Sequence, residues 1–211
     1  MSTELLQKLR EAEVIPQVIP EDQANSIKSA VKVVYPNTTI SLGEKPSRRD
    51  VLEIPEIEFP EADPSASYTI ICTDPDLLMK GEQTVGPVRH WLQSGILFDQ
   101  KTKRAAHQLG LNANVTNYLA PSPSPDFRFH RYVFLIARES PTYEPKGNKG
   151  YPVDGDSDLK GRLMWNAAEY CKEEKLTIEG VAWMSVQADG PAILENAKLT
   201  AESLVNKVMG K

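Results

Sequence analysis

The 211-residue sequence predicts a mainly β fold with helices towards its ends, on three observations. Apolar, strand-like runs recur at 68–73, 88–96, 130–140 and 177–188, most of them closed by turn-forming residues. Apolar residues at helical spacing occur instead near the two ends of the chain. Sixteen prolines and twelve glycines supply many turns, short of the proportion that marks disorder. A chain of this length fits a single domain over 1–211.

Taken in order, Leu5, Leu6, Leu9 and Ala12 recur at helical spacing and predict a short amphipathic helix over 3–13. "VIPQVIPED" follows, and its two prolines predict an extended path. Together these form an N-terminal lead-in over 1–22. Short β runs come next, "VKVVY" at 31–35 and "TTISLG" at 38–43, divided by Pro36-Asn37. Residues 53–66 alternate in places but carry three prolines, so a strand there is short or lies at an edge.

"YTIICT" is the first strong core strand and "VRHWLQSGI" the second. "HRYVFLIARES" is apolar on both faces, which predicts a central position. Between them lies a Pro/Ser loop, "APSPSP", at 120–125. Over 157–174, Leu159, Leu163, Ala167, Tyr170 and Cys171 share one face, with Ser157 as the expected N-cap. The strand at 177–188 then precedes a closing helix over 191–209.

Bulk properties narrow the function. A net charge of −5 excludes a generally nucleic-acid-binding or polybasic membrane protein. No apolar run is long enough to cross a bilayer as a helix, which leaves at most peripheral membrane contact. "MSTELLQKLREAEV" interleaves charges with leucines and does not read as a secretory signal, so a cytoplasmic location is expected. Cys72 and Cys171 are expected to be buried, reduced thiols, with no metal-ligand spacing around them.

The polar groups of interest sit at strand ends. One strong run closes in Asp74-Pro75-Asp76, the next carries Arg89-His90-Trp91, and the third opens with His130-Arg131-Tyr132. Alone, each is ordinary: Asp-Pro-Asp makes a turn, and a strand histidine is usually a satisfied core or surface residue. If the strands are neighbours, the two aspartates, two histidines and the tyrosine converge at one sheet end.

In combination, "YTIICTDPD", "HW" sixteen residues beyond Asp74, and "HRYVFLI" resemble the phosphatidylethanolamine-binding proteins, the family of Raf kinase inhibitor proteins, plant flowering regulators and carboxypeptidase Y inhibitor. The "RHWL" wording is most similar to fungal members. The resemblance implies a large antiparallel sheet packed on a smaller one, with peripheral helices and a small surface anion pocket. By motif, Asp74, Pro75, Asp76, His90, His130 and Tyr132 would line that pocket. Tyr118, Ser122 and Pro123 would stand at its wall, in the place of the family's Gly/Pro-rich loop. Arg89, Arg128 and Arg131 are expected to be solvated strand-edge arginines, with added positive potential at the pocket as the alternative.

Such a pocket suits an acceptor-rich ligand held by imidazole N–H groups, a tyrosine O–H and backbone amides. A carboxylate among them is sensible if Asp74 accepts a histidine N–H and fixes that ring. The sequence departs from the family pattern at "LLMK" (77–80), "GPV" (86–88) and "DFRF" (126–129), and Ser122 stands where glycine is common. Leu77, Leu78, Phe127 and Phe129 would make the rim bulkier and more apolar.

The leading expectation is therefore a non-catalytic binding or regulatory protein. Its ligand would be a phosphorylated headgroup, a phosphopeptide or a carboxylate, its partner a kinase or a serine carboxypeptidase, and it would need no cofactor. Protease inhibition is one alternative. Another is acid–base chemistry by Asp74, His90 and His130 on a small hydrophobic metabolite of a fungal biosynthetic pathway. Two aspartates and two histidines also make a conceivable zinc or manganese set, but anion binding is preferred and no metal is expected.

Overall fold

In a computed structural model, the described residues are 3–77, 86–106, 114–123, 128–143 and 161–191. Among the described residues, eleven strands form two sheets. The long strands are β6 (Tyr68–Asp74), β7 (Val88–Phe98), β10 (Phe129–Arg138) and β11 (Thr177–Gln187). They lie in the order β11-β10-β6-β7 with antiparallel pairing throughout. β10 is central, as its two-sided apolar pattern predicts.

Short strands extend both edges of this eight-stranded sheet. β1 (Ser29–Ala30) and β4 (Leu42–Glu44) pair parallel with successive stretches of β11, so the large sheet is mixed at that edge rather than wholly antiparallel. β8 (Ala105–Ala106) and β9 (Asn114–Thr116) pair with β7 on the other side. The second sheet has three strands, β3 (Thr39–Ile40), β2 (Lys32–Val34) and β5 (Glu56–Glu58), with β2 in the middle. The proline-flanked β5 is an edge of this sheet, where a missing N–H costs least.

Alternation along the long strands divides the core into two layers. Ile71, Leu92, Val133, Leu135, Ile178 and Val181 face one way and pack against the N-terminal segment and α3 (Ala167–Glu173). Ile70, Cys72, Trp91, Phe134, Ile136 and Ala182 face the other way, onto Val33, Ile40 and Ile57 of the small sheet. Successive residues along a strand thus fall in opposite layers, except where a register shift intervenes, as between Ile178 and Val181, which share a layer. Gly180 marks the tightest approach: a Cβ there would lie 2.7 Å from Val31 Cγ1, so the β1–β11 contact requires glycine. Cys72 and Cys171 are both free and buried.

Two helical expectations need correction. α1 (Thr3–Glu11) matches the N-terminal pattern, but the lead-in is not extended throughout: Val14–Gln17 forms a short helical segment, α2, kinked at Ile15, whose own backbone is extended (φ −106°, ψ 124°). Pro16 is tolerated there because the N–H groups of a first turn lack intrahelical partners anyway. Its Ile15–Pro16 peptide bond is cis. Of the helix expected over 157–174, the described residues 161–166 are not α-helical and α3 starts at Ala167, where Asn166 caps it by accepting from the N–H groups of Ala168 and Glu169. Ser157 and the closing helix beyond residue 191 lie outside the described residues.

Candidate functional site

Antiparallel pairing decides where the motif residues meet. β6 ends where β7 and β10 begin, with Asp74 opposite Val88 and Thr73 opposite both Arg89 and Val133. Asp-Pro-Asp, Arg-His-Trp and His-Arg-Tyr thus share one end of the large sheet. Asp74, His90, His130 and Tyr132 are at most 3% exposed there.

Asp74 is the hub. Its Oδ1 accepts the Asp76 N–H at 2.7 Å, and its Oδ2 takes His130 Nδ1 at 3.0 Å. The Tyr132 hydroxyl engages the same carboxylate, and it also accepts the Ser122 N–H at 3.1 Å. Burial, reinforced by the Asp74 charge, pushes the Tyr132 phenol well above its ordinary range and keeps it neutral.

His90 packs edge-on against the Tyr132 ring, with centroids 4.9 Å apart. Its Nδ1 lies 2.9 Å from the Leu119 carbonyl, while the Leu119 N–H returns to the His90 carbonyl at 2.7 Å. A carbonyl only accepts, so the Nδ1 proton of His90 is committed to Leu119. Burial lowers the His90 pKa, and Asp74 pulls it the opposite way without prevailing.

Asp76, Arg131 and Arg89 differ from the sequence reading. Arg131 clasps Asp76 with Nη2 to Oδ1 at 2.6 Å and Nε to Oδ2 at 2.8 Å, and its own N–H meets Oδ2 at 2.8 Å. Burial works to raise the Asp76 pKa, but this grip outweighs it and holds the carboxyl below its usual range. Arg89 is fully buried, neither a solvated strand-edge residue nor a source of open positive potential. It donates to the Gly161 carbonyl at 3.0 Å and lies 5.3 Å from the Trp165 ring centre.

The Pro/Ser loop and the segments beside it are braced mostly by residues with no motif. Arg48 Nε donates to the Pro121 carbonyl at 2.7 Å, and its Nη1 lies 3.6 Å from Asp189. Arg162 Nη1 spans the carbonyls of Arg89, His90 and Asn117 at 3.0–3.3 Å. Tyr118 turns its hydroxyl to the Val51 carbonyl and to Tyr35, each at 3.0 Å, away from the histidines. Ser122 and Pro123 are buried beside Tyr132 and its neighbours.

A cleft of about 670 Å³ opens at this end of the sheet. Pro75, Asp76, His130 and Arg131 form one wall, Glu11, Glu13 and Gln17 the facing one, and Arg128 and Phe129 complete it. Arg131 builds the junction by donating to the Ala12 carbonyl at 2.7 Å and to Gln17 Oε1 at 2.6 Å. The N-terminal wall carried no site signal in the sequence. Leu78, Ser124 and Phe127 lie outside the described residues.

As a metal set the four side chains are badly disposed, because Asp76 faces Arg131 and His90 Nδ1 faces a carbonyl. Among the described residues no three His, Cys, Asp or Glu side chains gather to hold an ion.

The phosphatidylethanolamine-binding protein family profile matches residues 30–179, a span that includes all three motifs. The chain belongs to that family. It is 24% identical over 200 residues to an uncharacterised protein of Saccharomyces cerevisiae, covering 89% of this chain and 95% of the relative. Among solved structures, a phosphatidylethanolamine-binding protein from Plasmodium vivax superposes with TM-score 0.70 at 19% identity, over 87% of this chain and 97% of that one. Carboxypeptidase Y inhibitor, in complex with its cognate proteinase, gives TM-score 0.70 at 15% identity over 90% and 97%. These structures share the fold. The N-terminal wall of the cleft, Glu11 to Gln17, falls outside the residues matched by the family profile.

Proposed function

We propose that this member of the phosphatidylethanolamine-binding protein family is a non-catalytic binding protein whose site takes an oxyanion, a phosphate or a carboxylate. The observation that supports it is the gathering of Asp74, His90, His130 and Tyr132, all nearly inaccessible, at the end of the sheet where a cleft is lined by Pro75, Asp76 and His130. Two imidazoles beside one carboxylate form a site whose charge adjusts to a bound anion. Ser122, bonded through its N–H to Tyr132, and Pro123 are buried, while Tyr118 is held by Val51 and Tyr35. Titrating inorganic phosphate or acetate against the histidine ring signals tests the reading. Saturable shifts are expected at His90 and His130, with His107 as the reference. Rings that stay unmoved at millimolar anion would sink it.

A protease partner is the second reading, favoured by the shared fold with carboxypeptidase Y inhibitor. Through such a partner, or a kinase, occupancy of the site would be signalled onward. A serine carboxypeptidase assayed with micromolar amounts of this protein would be slowed; unchanged hydrolysis would remove protease inhibition.

A further inference from the structure

We propose that the site selects phosphate monoesters over phosphate diesters, because its ligand must arrive with a proton, or take one from solvent, that ends on His90 Nε2. This rests on the oxyanion reading above and adds which oxyanion is held and how.

The donors that the motifs offer are already engaged. His90 Nδ1–H is held by Leu119, and the Ser122 N–H goes to the Tyr132 oxygen. The Tyr132 hydroxyl and His130 Nδ1 both meet Asp74. The guanidinium of Arg131 closes on Asp76, Ala12 and Gln17. Pro121 and Pro123, on either side of Ser122, have no N–H. These donors therefore face protein acceptors before any anion arrives.

Among the described residues, no hydrogen bond reaches the second ring nitrogen of His90. With Nδ1–H fixed by a carbonyl, Nε2 of the neutral ring is a bare lone pair. Asp74 from β6, His130 and Tyr132 from β10, Leu119 from the Pro/Ser loop and Arg162 behind it are the groups that surround the ring. Burial favours the neutral ring, Arg162 and His130 add to that, and only Asp74 and the Leu119 bond resist.

A bare oxyanion against that lone pair is unfavourable. A phosphate monoester resolves the conflict because its second ionisation lies near pH 6, at about the same acidity as an imidazole. Below that pH the ester brings its own P–O–H; above it, the dianion recruits one proton from solvent. In either case the complex holds an imidazolium, with Nδ1–H on Leu119 and Nε2–H on a phosphate oxygen. A diester has no exchangeable proton and one charge fewer with which to hold the imidazolium.

Calorimetry with methyl phosphate and dimethyl phosphate, each in two buffers of different ionisation enthalpy, reads the proton directly. Methyl phosphate is expected to take up close to one proton on binding at about pH 7.5, falling towards none at about pH 5. Dimethyl phosphate is expected to bind about tenfold more weakly or worse. The substitution His90→Gln places a permanent N–H near the Nε2 position and is expected to abolish uptake and narrow the preference. The wild-type buffer comparison stands even if that variant misfolds. Methyl phosphate bound without proton uptake, or both esters bound equally, would overturn the selectivity and leave the oxyanion site standing. No heat and no histidine shift with any phosphate or acetate would overturn both.

Discussion

The central strands β6 and β10 carry a buried polar network at each end, and the two networks are built from different cations. At the Tyr68–Arg138 end, Glu179 is 5% exposed and meets Lys28 at 2.7 Å, Tyr68 at 3.3 Å and Arg138 at 3.9 Å. Arg138 in turn reaches Asp63. Both cations are permanent, and both are more than a third exposed, so water shares their charge. At the Asp74–His130 end the carboxylate is sealed in and its neighbours are imidazoles, whose charge follows pH and ligand. One end fastens the sheet, whereas the other leaves a charge state open.

Four measurements would break or sharpen that contrast. The largest effect is expected from Asp74→Ala, which strands His130 Nδ1–H, the Asp76 N–H and the Tyr132 hydroxyl without their acceptor. Urea unfolding should show a loss of about 3–5 kcal/mol. Glu179→Ala should cost less, about 1–2 kcal/mol, because its partners can turn to water. Equal losses would erase the difference between the two ends. Tyr132→Phe, which leaves the Ser122 N–H unpaired, should cost about 1 kcal/mol and weaken phosphate binding, whereas Glu179→Ala should leave phosphate affinity unchanged.

The smallest effect is in pH dependence. The folded-state pKa of His90 lies below its unfolded value, so the unfolded chain takes up that proton more readily. The His90 contribution to stability is complete above about pH 6.5 and is lost progressively as pH falls from that value through the lower folded-state pKa. The stability difference between wild type and His90→Gln should accordingly shrink between about pH 7.5 and pH 5.5. A pH-independent difference would place His90 with the fixed network instead.

Much of this architecture was legible in the sequence, for physical reasons. Buried strands need apolar runs, so 68–73, 88–96, 130–140 and 177–188 declared themselves, and antiparallel pairing then brought three motif-bearing ends together. Less legible were contacts with no side-chain signature. The acceptor that fixes the His90 tautomer is a backbone carbonyl 29 residues away. Arg131 occupies the Asp76 carboxylate across 55 residues, a pairing that leaves no local pattern. Arg48 and Arg162 stand in no motif, yet both are buried against the carbonyls of the Pro/Ser loop or its neighbours. The same limitation hid the N-terminal wall, whose amphipathic pattern forecasts a helix but not the surface it covers.

The reach of Arg131 to Ala12 and Gln17 also bears on biosynthesis. Its bonds to that segment span 119 and 114 residues, so residues 3–17 wait through the synthesis of all of that intervening chain for the guanidinium that anchors them. A nine-residue helix does not persist alone in water. Until β10 emerges, Leu5, Leu9, Val14 and Ile15, all buried in the finished fold, have no complete surface to settle on. On a translating ribosome this stretch would be an early and lasting target for chaperones, and the cleft would be among the last features of the molecule to take shape.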